Sequence, residues 1–115
     1  MKTSQQGQVA ENEACAFLQK QGLTLVEKNY RCRTGEIDLI MQDKEALVFV
    51  EVRYRAKSDY GSALDSVDQH KIQKLVSAAN HYISKHQPDL PMRFDVVGFD
   101  ASLKPSWVAN AFSAF

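Results

Sequence analysis

Two short stretches of the chain carry acids where an ordinary hairpin would gain nothing from them: Gly35-Glu36-Ile37-Asp38-Leu39-Ile40 and Val48-Phe49-Val50-Glu51-Val52-Arg53. The polar run Gln42-Asp43-Lys44-Glu45 between them predicts a tight turn and an antiparallel pair. With Lys44-Glu45 at the tip, Ala46 faces Asp43 and Leu47 faces Gln42. Extending that register sets Glu51 opposite Asp38 and Arg53 opposite Glu36. Every second residue of a strand returns to the same side, so Glu36, Asp38, Glu51 and Arg53 are expected on one face, and Ile37, Leu39, Val50 and Val52 on the other. Opposed carboxylates repel, and burial sharpens the repulsion. A divalent cation removes it, because hard cations take oxygen ligands and Mg²⁺ commonly uses one or two carboxylates. Spacing alone leaves this reading level with a solvated polar face.

Glu11 adds weight to the metal. It lies three residues before Ala14 and seven before Leu18, so it flanks the apolar stripe of a helix instead of facing outwards. It is either a third ligand or a first-turn acid complementing the helix dipole. Basic residues gather on both sides of the hairpin: Lys28, Arg31 and Arg33 before it, and Arg53, Arg55 and Lys57 after Glu51, with Tyr30 and Tyr54 interleaved. Such clusters suit a phosphate backbone approaching a cation, or are ordinary surface charge. Lys71 is a further candidate to reach a phosphate. His70 and His81 stand about three helical turns apart, too far to share a metal, and a surface or capping role is expected for them and for His86. Trp107 and Phe112 read as core or interface. No Ser-His-Asp triad and no glycine-rich phosphate loop is present.

These residues need a scaffold, and 115 residues suffice for one domain, 1–115, with a real core. A hydrophobic fraction of 44% and a charged fraction of 24% are those of a soluble globular protein. Fourteen basic and fourteen acidic residues give no global pull towards nucleic acid, so binding must come from a local patch. Cys15 and Cys32 match no metal-ligand spacing and read as reduced thiols. The polar N-terminus has no apolar signal core, and no run approaches the roughly 20 apolar residues of a membrane span. A cytoplasmic protein is expected.

Helical spacing of Ala10, Ala14, Phe17, Leu18 and Gln21 predicts a helix from about Ser4 to Gln21, stopped at Gly22. Strands are expected over Leu23–Tyr30, Glu36–Met41 and Ala46–Arg55, with a turn at Thr34-Gly35. After a polar segment containing Gly61, Ile72, Leu75, Val76, Ala79, Tyr82 and Ile83 mark a long helix from about Ser66 to Lys85, ended by Pro88 and Pro91. Arg93–Asp100 is a fourth strand, and a short extended piece is expected around Trp107-Val108. The order α-β-β-β-α-β implies an α/β fold with a mixed sheet flanked by helices.

The blocks GEIDLI and FVEVRYR, together, resemble the YraN-like family of small bacterial proteins. The likeness extends over Gly7, Glu11 and Ala14, over Asn29-Tyr30-Arg31, Lys71 and Arg93-Phe94-Asp95-Val96-Val97, and over Asn110-Ala111-Phe112. That family in turn resembles the restriction-endonuclease-like PD-(D/E)XK nucleases, with archaeal Holliday-junction resolvases among the nearer relatives. The resemblance implies Asp38 and Glu51 as ligands of Mg²⁺ or Mn²⁺, with Glu11 joining them. Arg53 stands where the superfamily has a catalytic lysine; arginine keeps the electrostatic role but hardly deprotonates. The implied activity is metal-assisted phosphodiester hydrolysis on DNA, rather than RNA, in branched or single-stranded form. Arg31, Arg33, Arg55, Lys57 and Lys71 would hold the backbone. The departure at Arg53 and the neutral net charge point to an alternative, a non-catalytic nucleic-acid-binding or scaffold protein of a repair or recombination complex. A protein-interaction subunit with a relic acidic face is a third reading. Resolvases of this fold act as dimers, and analogy extends that to a homodimer here.

Overall fold

A computed structural model describes residues 5–54, 67–100, 102 and 104–113. Its elements are α1 (Gln5–Lys20), β1 (Thr24–Cys32), β2 (Gly35–Asp43), β3 (Ala46–Tyr54), α2 (Gln69–His86), β4 (Met92–Phe99) and β5 (Pro105–Phe112). The strands form one sheet in the order β1-β2-β3-β4-β5. β1, β2 and β3 follow one another antiparallel, β3 and β4 run parallel, and β5 returns antiparallel to β4. The parallel step needs a crossover, which is where α2 lies. This is the mixed α/β order that the patterning predicts, with the piece at Trp107-Val108 extended into a full strand.

Element ends have local causes. Gly22 takes φ 103, a left-handed value that stops α1 at little cost. α2 starts at Gln69, later than the periodicity suggests, because Asp68 is extended (φ −81, ψ 174) and its carboxylate accepts the Lys71 N–H as an N-cap. Ser4, Ser66 and the segment around Gly61 lie outside the described residues. At the far end Gln87 turns left-handed (φ 47) and donates to the Ile83 carbonyl, one residue before Pro88.

The sheet buries both faces. Ala10, Ala14, Cys15 and Leu18 of α1 pack on Leu39, Met41, Val48, Val50 and Val52. Leu75, Ala78, Ala79 and Tyr82 of α2 pack on Tyr30, Ile37, Ile40, Phe49 and Phe94. The alternation expected along β3 therefore holds, with valines towards α1 and Phe49 towards α2. In β2 it fails at one place. Ile37 belongs to the α2-side core and Leu39 to the α1-side core, although they are two residues apart. β1 does the same: Lys28 reaches Asn12 of α1, while Tyr30 packs under α2. Between them stands Asn29 at φ 52. One left-handed residue reverses the side that the next one faces, and the flanking pairs Lys28↔Leu39 and Tyr30↔Ile37 set this reversal level with Asp38. Placing Ile37, Leu39, Val50 and Val52 on one face is thus corrected for Ile37.

Candidate active site and nucleic-acid groove

The hairpin register is as the turn predicts, with Asp43↔Ala46, Gln42↔Leu47 and onward to Leu39↔Val50. There the backbone pairing ends. The next step would set Asp38 against Glu51, but Asp38 Oδ2 instead accepts the Val52 N–H at 2.8 Å. The two acids are therefore not a ladder pair. They flank the point where β2 and β3 part, with Asp38 fixed to the β3 backbone through its own carboxylate. The reversal beside Asn29 is the physical reason, since it twists β1 and β2 together away from an even register.

Three carboxylates from three elements are buried: Glu11 on α1 (3% exposed), Asp38 on β2 (1%) and Glu51 on β3 (1%). A lone buried carboxylate costs several kcal/mol after relaxation, so each requires a compensating group. Glu11 Oε1 accepts from the Asn29 amide at 2.9 Å, which ties α1 to the residue that reverses β1. Glu51 Oε2 has Arg53 Nη1 at 3.4 Å and Lys71 Nζ at 3.6 Å. Both contacts are long, and both cations are about a third exposed, at 31% and 32%. Arg53 thus shares a face with Glu51, as strand alternation requires, and Lys71 arrives from α2.

The hard-oxygen donor set suits a divalent cation, for which one or two carboxylates can suffice. Among the described residues, no three His, Cys, Asp or Glu side chains are gathered into a metal cage. Glu36, expected beside Arg53, instead pairs with Arg31 at 2.6 Å.

The basic residues converge next to this cluster. Arg31, Cys32, Arg33, Thr34, Gly35, Glu36, Lys71 and Lys74 line a groove of about 580 Å³ between the β1–β2 turn and α2. Gly35 makes it possible: a Cβ there would overlap the Lys74 carbonyl and come within 3.4 Å of Ala78 Cβ. The helix backbone rests on the glycine, which brings Lys71 and Lys74 over Arg31 and Arg33. The side chains of Thr34 and Ser77 hydrogen-bond across the same contact. Arg31, Arg33 and Lys71 are thus brought together. Lys28 is not, and Arg55 and Lys57 lie outside the described residues. Lys74, Thr34 and Ser77 escape a reading of the sequence because only the docking of α2 on Gly35 makes them neighbours. In the groove wall, burial pushes the Cys32 thiol up, but hydrogen bonds with the Thr34 side chain and with the backbone of Thr34 and Gly35 bring it below its ordinary value.

His81 and His86 pack against tyrosines. His81 Nδ1 and the Tyr30 hydroxyl hydrogen-bond at 2.6 Å, and His86 stacks on Tyr82 with ring centres 4.1 Å apart. Burial raises the pKa of both tyrosines. His86 also bonds the Tyr82 carbonyl near the end of α2, a capping contact. Trp107 packs edge-on to Phe17, and Phe112 stacks on Phe94.

A fourth buried acid, which composition and spacing did not single out, lies between β4 and β5. Asp95 is 1% exposed. Its Oδ1 accepts from Arg93 Nε at 3.0 Å and from the Asn110 N–H at 2.9 Å. Its Oδ2 accepts from Arg93 Nη2 at 3.2 Å and from Trp107 Nε1 at 3.0 Å. The β4–β5 register slips between Phe94 and Val96, and Asn110 is left-handed (φ 53). The carboxylate satisfies an amide that the irregular ladder leaves over.

Fold and site together define a small mixed α/β protein with buried acids where two strands part, beside a basic groove. The sequence profile described as "Uncharacterised protein family UPF0102" matches residues 10–99, and the chain belongs to that family, the YraN-like one. It is 49% identical over 110 residues to a UPF0102 protein of Nitrosomonas eutropha, covering 96% of this chain and 95% of that one. A UPF0102 protein of Alcanivorax borkumensis is 47% identical over 112 residues, covering 92% and 90%. One of Legionella pneumophila is 46% identical over 115 residues, covering 97% and 98%. Among the described residues, no helix is long and apolar enough to cross a membrane.

Proposed function

We propose that this protein is a metal-dependent nuclease acting on DNA, with branched or single-stranded forms as the first candidates. The observation that carries the proposal is the position of Glu51, buried beside Asp38 at the parting of β2 and β3 and joined through Lys71 to a groove with four cations. Asp38 and Glu51 would hold Mg²⁺ or Mn²⁺, with Glu11 of α1 as a further buried carboxylate. A bound divalent cation supplies Lewis acidity at a phosphate and lowers the pKa of an attacking water. The chain's own residues do the rest. Arg31, Arg33 and Lys74 bind backbone phosphates and fix their register along the groove. Arg53 stabilises negative charge that develops on the phosphate under attack, a role for which a permanently protonated guanidinium is suited. Asn29 orients Glu11, and the Val52 N–H orients Asp38.

The test is cleavage of linear duplex, single-stranded and four-way-junction DNA with Mg²⁺ or Mn²⁺, in wild type, Arg53→Lys and Arg53→Ala. Metal-dependent products from wild type, retained with lysine and lost with alanine, are expected. A wild type inert on every substrate while Arg53→Lys cleaves would identify a nuclease fold disabled at one position.

One observation favours a second reading, a non-catalytic DNA-binding protein. Glu51 already has two cations of its own chain within 3.6 Å, and the described residues gather no three-ligand cage. Salt-sensitive DNA binding that ignores divalent cations, with no cleavage by wild type or by Arg53→Lys, would select it.

A further inference from the structure

Lys71 stands in two places at once. Its ammonium is 3.6 Å from Glu51 Oε2, and its side chain lines the groove with Arg31, Arg33 and Lys74. Arg53, which also lies against Glu51, is not among the described residues of the groove wall. Lys71 is also held firmly at its root. Its N–H is the one that the Asp68 cap accepts, and one turn later the helix backbone rests on Gly35. The backbone is fixed while the side chain, 32% exposed, has room to move.

From this we infer that Lys71 couples occupation of the carboxylate site to phosphate binding in the groove. The inference rests on the proposed function, since it takes a divalent cation at Glu51. In the free protein the Lys71 ammonium partly neutralises a buried carboxylate. A divalent cation at Glu51 removes that role and repels the ammonium, and like charges at such separations are strongly unfavourable away from bulk water. The four-carbon stem then carries the charge to the groove, where a DNA phosphate takes it as a point-charge donor. Metal and DNA each release Lys71 for the other. Linkage requires the effect to be equal in both directions: whatever factor the cation adds to DNA affinity, DNA adds to cation affinity. Lys71 is therefore a positioning residue that makes the empty site bind DNA weakly and the loaded site bind it well. Lys74, which lines the groove without contacting Glu51 in the described ion pairs, binds phosphate but has no part in the coupling.

The experiment is fluorescence anisotropy with a short labelled DNA duplex at constant ionic strength, in EDTA and in Ca²⁺, which avoids turnover. Calorimetric titration of Ca²⁺ into the DNA-free protein accompanies it. For wild type, Ca²⁺ is expected to tighten DNA binding by about fivefold or more, the lower range of ordinary coupling factors. Lys71→Met is expected to bind Ca²⁺ more tightly than wild type without DNA, having lost the competing ammonium, and to gain less DNA affinity than wild type on adding Ca²⁺, keeping only what the cation's own attraction for phosphate contributes. Lys71→Arg, which keeps the charge, retains the gain. Lys74→Met lowers DNA affinity by the same factor with and without Ca²⁺. If Lys71→Met keeps the full wild-type gain, or binds Ca²⁺ no better than wild type, the coupling role is wrong and the nuclease reading stands. If wild type takes up no Ca²⁺ at all, both fall.

Discussion

Two regions of this sheet bury acids to the same depth, and they treat them in opposite ways. Asp95, between β4 and β5, accepts four hydrogen bonds from Arg93, Trp107 and the Asn110 backbone, all at 2.9 to 3.2 Å. Its cation reaches on to Asp43 at 3.1 Å and so ties the β2–β3 hairpin to the far edge of the sheet. Hydrogen bonding to Asp95 keeps the Arg93 guanidinium charged above its ordinary range, against the opposing effect of burial. This is a closed network, and closed networks rigidify. Glu51 lies instead 3.4 Å and 3.6 Å from two cations that stay about a third in solvent, and Asp38 stands where β2 and β3 cease to pair. On the proposed function, the difference separates an acid that serves architecture from acids that would serve a ligand.

Substitutions can break or sharpen that contrast. The largest effect on stability is expected at Asp95. Asp95→Ala removes four accepted bonds and leaves Trp107 Nε1 and the Asn110 N–H without their acceptor. A loss of about 3 kcal/mol in urea unfolding is expected, the lower end for breaking a buried pair, because Arg93 stays 22% exposed and keeps Asp43. Glu51→Gln is expected to do the reverse. Its stability should stay within about 1 kcal/mol of wild type, since the cations it releases already reach solvent. Its metal-dependent cleavage should fall by about a hundredfold or more. Equal destabilisation by the two variants would erase the distinction.

How far the sequence anticipates this contrast depends on the range of the interaction. The hairpin register followed from a two-residue turn, and the shared face of Glu51 and Arg53 from alternation along one strand; both are local and both hold. The opposition of Asp38 and Glu51 required the alternation to continue past Asn29. An asparagine tolerates left-handed backbone, but nothing in its neighbours shows that it adopts it here. Arg93-Phe94-Asp95 and Asn110 were visible as a pattern without a role, because their contact spans an irregular ladder 15 residues apart. The groove was half legible. Arg31 and Arg33 stand beside a turn, whereas Lys71 and Lys74 join them only through the seating of a helix on Gly35.

That seating gives the next effect in size. Gly35→Ala drives a methyl into the Lys74 carbonyl, backbone that cannot swing aside. A loss of about 1–3 kcal/mol is expected. DNA affinity in EDTA should fall as α2 shifts from the turn, as anisotropy would record. An Ala variant with unchanged stability and affinity would show that the groove does not depend on this contact. The smallest effect belongs to the outer limb of the Asp95 network. Asp43 and Arg93 are both partly exposed, at 27% and 22%, and Asp43→Ala is expected to cost no more than about 1 kcal/mol. A loss as large as that of Asp95→Ala would place the centre of the network at Asp43 instead.

On the proposed function Asp38 and Glu51 serve a divalent cation and Asp95 does not. Calorimetric titration of Mn²⁺ into wild type, the double variant Asp38→Asn/Glu51→Gln, and Asp95→Asn at a temperature where all three are folded tests it directly. Saturable uptake by wild type and by Asp95→Asn, with none by the double variant, is the expected result. No uptake by wild type, or undiminished uptake by the double variant, would contradict the claim.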